Sequence, residues 1–312
     1  MKTRLLLCLL ALAACAPDMD EPTLVHDLRV LGISTDAPEL LLPACDTSPQ
    51  VLAALDTPVH YRALIVDPQG EERALDYRLW ACADAEDLTC AEANGRVLLA
   101  EGSTSAGELS VDVRPGTAFL PDGTALLERV RAKDDYAGLG GVRLPLVLEL
   151  SAGEERIHAQ KLLVYSCPLV EGMRANQNPE PPGLLLQGQP WPQSQSAEQA
   201  VALPELVGPG PFAVQAEDFR AQEEAYVVPS LTLQPVSLTE SWTLAWHASL
   251  GEFNLQQTGG TDFGGQESRN LVKWKPFEDG GSAEAQVVTF WVVVRDGRGG
   301  LSWTSRQALW RP

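Results

Sequence analysis

The stretch 289–303, "TFWVVVRDGRGGLSW", decides how the chain is read. An apolar run from Phe290 to Val294 stops at Arg295 and Asp296. Gly297, Gly299 and Gly300 follow, and apolar residues resume at Leu301. Charges beside glycines serve active-site loops, ion sites and phosphate cradles, but they also serve turns between strands. The turn explains more of these residues. An aspartate heading a tight turn accepts hydrogen bonds from N–H groups two residues on, and glycine reaches φ > 0 without steric cost. The stretch therefore reads as a hairpin between the last two strands of a sheet, with Arg295 and Arg298 in solvent. Phe290 and Val292 share one side of the first strand and Trp291 takes the other.

Upstream, the same alternation returns in "FAVQAEDF" (212–219), "LTLQPVSL" (231–238), "WTLAWHAS" (242–249) and "NLVKWKP" (270–276). Trp242, Leu244 and Trp246 fall on one face. The N-terminal half holds about seven further strand segments, from "LRVLGIS" (28–34) to "IHAQKLLVYS" (157–166), separated by turn signals such as "DPQG" (67–70). In that half only "ALLERVRAKD" (125–134) reads as a helix, and a short one. Residues 168–212 hold nine of the 23 prolines, which block ladder bonds and stiffen the backbone, so 168–183 reads as a linker. The expectation is all-β: two antiparallel sandwiches in tandem, 25–167 and 184–312, with one short helix in the first.

Trp246, Gly251, Phe253, Trp274, Pro276, Asp296 and Gly299 carry a pattern that resembles the immunoglobulin-like, PKD-like domains of bacterial surface proteins. The pattern covers roughly the last 75 residues, and the first half resembles such a domain more distantly. The layout is similar to two-domain lipoproteins of GC-rich Gram-negative bacteria. The resemblance implies a fold and surface display, and no reaction.

The N-terminus, "MKTRLLLCLLALAACAPD", places Lys2 and Arg4 before an apolar stretch, Leu5 to Ala14. Ten apolar residues fall well short of the roughly 20 that span a bilayer as a helix, so residues 1–14 read as a secretory signal. "LAAC" (12–15) resembles the bacterial lipobox. That resemblance implies cleavage before Cys15 and lipid on its thiol, with residues 15–24 as a tether and the outer membrane as destination. Several acyl chains anchor where one binds only reversibly. Setting aside Cys8 and Cys15 leaves Cys45, Cys82, Cys90 and Cys167, which suit disulfides in an oxidising compartment. Four cysteines allow three pairings. Cys82–Cys90 across a short polar loop is the natural local pair, leaving Cys45 for Cys167.

A net charge of −19, from 42 acids against 23 Lys and Arg, disfavours nucleic acid as a partner. No nucleophile elbow, zincin motif or phosphate loop occurs, and His26, His60, His158 and His247 are scattered, so no catalytic residue, metal ligand or cofactor is assigned. His247 and His158 read as half-exposed strand residues. "GGTDFGGQE" (259–267) faintly resembles a calcium-binding repeat but occurs once, so a solvated surface is the plainer reading. Six of the eight tryptophans lie between 242 and 310. Aromatic faces stack on sugars, and Trp291 and Trp310 are the ligand-binding candidates left after core positions are removed. The expected role is non-enzymatic: a lipid-anchored envelope protein in structure, adhesion or assembly, bound to the membrane through Cys15 and to an envelope protein or glycan. The alternative is a glycan- or peptidoglycan-binding module, and a hydrolase using paired carboxylates is the weakest reading.

Overall fold

The computed structural model describes residues 22–193, 202–260, 270–277 and 284–312. Cys15 with its signal, and most of the glycine-rich segment weighed for calcium, lie outside the described residues.

The first sandwich is built from β1 (Arg29–Thr35), β2 (Glu39–Leu41), β3 (Val59–Val66), β4 (Leu75–Cys82), β5 (Arg96–Thr104), β6 (Gly107–Val113), β7 (Val142–Ala152) and β8 (Glu155–Ser166). One sheet runs β1-β3-β6 and the other β2-β8-β7-β4-β5. Alternation turns Leu144, Leu146, Leu148 and Leu150 of β7 into the core, against Tyr61, Leu75 and Leu79. Each such burial contributes roughly 1.5–3 kcal/mol. Val147, on the outer face of β7, packs with Trp80 under the Cys82–Cys90 disulfide. A second disulfide, Cys45–Cys167, closes the domain from start to end, with Cα atoms 5.2 Å apart.

Among the described residues this domain has two short α-helices, not one: α1 (Pro49–Leu55) and α2 (Leu126–Lys133). Seven residues are too few to show a helical period, so α1 left no pattern to read. Its one signal is Pro49 in the first turn, where a missing N–H is no loss.

The second sandwich contains β9 (Leu184–Leu186), β10 (Gln189–Trp191), β11 (Glu205–Val207), β12 (Phe212–Ala216), β13 (Ala225–Pro229), β14 (Pro235–Thr239), β15 (Thr243–Ala248), β16 (Glu252–Phe253), β17 (Gln257–Gly259), β18 (Leu271–Lys275), β19 (Gln286–Arg295) and β20 (Leu301–Arg311). Its sheets run β10-β9-β12-β18-β16 and β11-β20-β19-β15-β17. Trp246 and Trp274 are fully buried between them, with the Trp274 ring edge-on to Phe290 at 5.2 Å. In both domains a short early strand runs parallel to the last strand, β2 to β8 and β11 to β20. This is the immunoglobulin-like arrangement, used twice. The expected strand 231–238 divides. Ser230 N–H bonds to the Gln234 carbonyl across a turn, and β14 begins only at Pro235, so β13 and β14 form a separate two-stranded hairpin.

The two sandwiches pack on each other. Val25, Leu31, Leu64 and Val66 of the first half meet Val293 and Leu301 of the second, with Ala245, Trp291 and Trp303 alongside. The outer face of the β1-β3-β6 sheet thus covers the outer face of β19 and β20. Gly32 sits tightly in this contact: a Cβ there would lie 2.9 Å from Leu301 Cδ2 and 3.3 Å from Trp303 Cε3. The Arg62 guanidinium lies over the Trp303 ring at 5.0 Å.

Two segments read as free connections are docked. Thr23 is buried, and its Oγ1 accepts the Phe253 N–H; Val25 N–H bonds to the Ala248 carbonyl, so the chain leaves the tether before residue 24. The proline-rich 168–183 is a strap. Asn176 is buried, and Asn178 donates to the Thr35 carbonyl at 2.6 Å while accepting the Leu301 N–H at 3.0 Å. Proline content shows that a segment leaves the ladders, but not whether it leaves the surface.

Candidate functional site

The hairpin 295–300 joins β19 to β20, as its residues imply, but it is not a free turn. Asp296 is 1% exposed. Its carboxylate accepts the N–H of Arg298 at 2.7 Å and of Gly300 at 2.9 Å. Gly297 and Gly299 take φ of +82° and +110°. Gly300 serves space instead: a Cβ there would collide with the Asp296 carboxylate and lie 2.7 Å from the Gln177 carbonyl. Asn176 of the strap donates to Asp296 at 2.7 Å. The hairpin is thereby clamped to the segment that joins the domains.

Arg298 is not solvated. Its guanidinium approaches Glu39 of β2 and Glu240 at 3.3 Å each, and Glu224 at 3.9 Å. It also lies over the Tyr226 ring at 4.0 Å. Glu39 further accepts from Ser166 Oγ and from the Asn176 N–H, and Glu240 from Trp242 Nε1 and the Glu224 N–H. One arginine therefore ties the first sandwich, the strap and the β13–β14 hairpin into the second sandwich. Lys161 of β8 is buried and donates to the Gly299 carbonyl. Burial pushes its ammonium down to about 8, with Asp296 opposing and Arg295 reinforcing.

Beside this seam lies a cleft of about 380 Å³, lined in part by Arg143, Leu162, Arg174, Tyr226, Val228 and Arg298. A second cleft, about 430 Å³, lies on the outer face of the first sandwich. Both of its arginines are paired: Arg78 and Arg156 approach Glu149, and Arg78 also approaches Glu101.

The tryptophan candidates are used in packing. Trp310 is 4% exposed, and its Nε1 donates to the Gly208 carbonyl, so neither ring face is open to a sugar. Trp291 is half-buried against the interdomain apolar layer. Only the unbroken apolar run itself signals that the outer face of β19 is covered by another domain. His247 is more enclosed than a half-exposed strand residue. Burial drops its imidazole to about 4, and Arg295 and Arg29 add to the effect. His158 is exposed. Among the described residues no three His, Cys, Asp or Glu side chains come together as metal ligands, and no helix is long and apolar enough to cross a membrane.

No protein-family model matches the chain, and no curated protein does. Solved structures similar to it include Escherichia coli alpha-2-macroglobulin activated by porcine elastase, at 7% identity and TM-score 0.26, over 92% of this chain. The chain spans about a fifth, 22%, of that protein's length. A protein of unknown function from Porphyromonas gingivalis W83 aligns over 90% of this chain and 99% of its own, at 12% identity and TM-score 0.21. The titin domains z1z2 in complex with telethonin align over 92% and 96%, at 7% identity and TM-score 0.21. At these scores the fold assignment rests on the sheet order described above.

Proposed function

We propose that this chain is a non-enzymatic, lipid-anchored protein of the bacterial envelope, and that its two sandwiches act as one stiff body that presents a surface. The observation that carries this reading is the apolar layer between the domains, closed at one end by Arg298 and Asp296. A tandem meant to flex would keep its inter-domain face small and polar. The two disulfides put the protein outside the cytoplasm. The lipobox-like "LAAC" at 12–15 supports the anchor on Cys15. Pro22 lies seven residue steps beyond Cys15, a reach of at most about 25 Å. The Thr23 carbonyl accepts the N–H of Ala248, at the end of β15 remote from the 295–300 hairpin, so such an anchor supports a seam directed away from the membrane.

Cells fed radiolabelled palmitate test the anchor. Label on the wild-type chain and none on Cys15→Ala, with loss of the variant from the membrane fraction, is the expected result. An unlabelled wild type, or a variant that fractionates unchanged, contradicts it.

A further inference from the structure

We infer that the seam cleft is a binding site for an extended peptide segment bearing carboxylates. Two independent observations meet there. The first is charge. Acids outnumber bases 42 to 23 in this chain, yet two arginines of this cleft face no acid. Arg143 and Arg174 both line the cleft, and neither makes an ion pair among the described residues; Arg143 has only a 3.5 Å bond to the Gly141 carbonyl. The carboxylates nearby are already engaged: Glu39 and Glu240 are both held by Arg298 and by other donors. The unneutralised charge of the cleft is positive, on an otherwise acidic molecule, with apolar walls from Leu162, Val164 and Met173.

The second observation is backbone. β13 borders the cleft and, among the described residues, pairs only with β14. Ser230 N–H bonds to Gln234 O, and Glu240 N–H to Glu224 O. In an antiparallel ladder bonded pairs recur every second residue, so Val228 and Tyr226 spend their backbone groups on β14. The N–H and C=O of Ala225 and Val227 then point to the open edge. Pro229 and Pro235 at the hairpin end limit edge pairing to this short stretch. An extended peptide adding a strand at Val227 gains main-chain bonds there, and its carboxylates meet the arginine fork geometry of Arg143 and Arg174.

This inference rests on the reading of a presented, non-enzymatic surface, but it is tested separately. The probe is an array of heptapeptides of alternating apolar and acidic residues, each printed beside its Asn/Gln counterpart and beside uronic-acid oligosaccharides. The full chain in detergent is applied. Acidic peptides retain it at least tenfold more than their neutral counterparts. The Arg143→Gln/Arg174→Gln double variant loses that retention; both side chains are exposed, so folding is untouched. Val227→Pro, which removes an edge N–H without breaking a bond to β14, loses it as well while its near-ultraviolet tryptophan signal stays intact. Equal retention of neutral peptides, retention unaffected by the arginine pair, or retention on the oligosaccharides alone overturns the inference. Peptide retention together with absent palmitate labelling overturns the anchor and leaves the cleft standing.

Discussion

Arg298 shows how much one side chain in this molecule holds. Glu240 beneath it is 2% exposed at its side chain and Glu39 is 11% exposed. Removing the cation leaves two enclosed carboxylates facing each other, the costly way to break an ion pair. Arg298→Ala is expected to lose about 3 kcal/mol in urea unfolding; a loss under about 1 kcal/mol would mean the carboxylates are hydrated. His247 sets the acid limb. Its folded pKa, about 4, lies below the ordinary 6.5, so the unfolded chain binds the extra proton between those values. Stability is then present above pH 6.5 and falls as pH drops toward 4, by about 2 kcal/mol at pH 5. His247→Gln flattens that limb, which unfolding curves at pH 7 and pH 5 read directly. At this scale the sequence reading was mixed. The turn chemistry of Asp296 and Gly297 is local and was legible. The partners of Arg298 come from positions 39, 224 and 240, and no local pattern announces them.

Among the elements, β19 is the most instructive. A sheet with one wet face alternates apolar and polar residues, whereas Phe290 to Val294 is apolar throughout. Such a run marks a strand covered on both faces: Phe290, Val292 and Val294 face the core of their own sandwich, and Trp291 and Val293 face the other domain. The long strands were legible because their period is strong. The short ones, β2, β9, β10 and β11, were not, since three residues carry no period. The disulfides act at this scale too. On the chain-entropy account, closing the 122-residue separation of Cys45 and Cys167 is worth about 5 kcal/mol, and the 8-residue separation of Cys82 and Cys90 about 2.5 kcal/mol. Replacing each pair by serine and comparing urea midpoints is expected to rank them in that order. The reverse order would mean that Cys82–Cys90 acts mainly through the Trp80 and Val147 packing beneath it.

For the whole molecule, the sequence implied two sandwiches and a linker, which suggests beads on a string. The structure replaces the string with a third apolar layer and a docked strap. What makes this invisible beforehand is that Val66, Leu64 and Leu31 look like ordinary strand residues until the second domain is placed on them. Stiffness is the property on which the presenting role depends, since a cleft walled by residues of both domains exists only while they stay docked. Spin labels at Glu128 in α2 and Val287 in β19, both exposed, measure this directly by pulsed electron–electron resonance on the full chain. One narrow distance distribution is the result expected of docked domains, and Val293→Asp broadens it by placing a charge in the apolar layer. A wild-type distribution already spread over tens of ångströms, on the order of the reach of a free 16-residue linker, would contradict it.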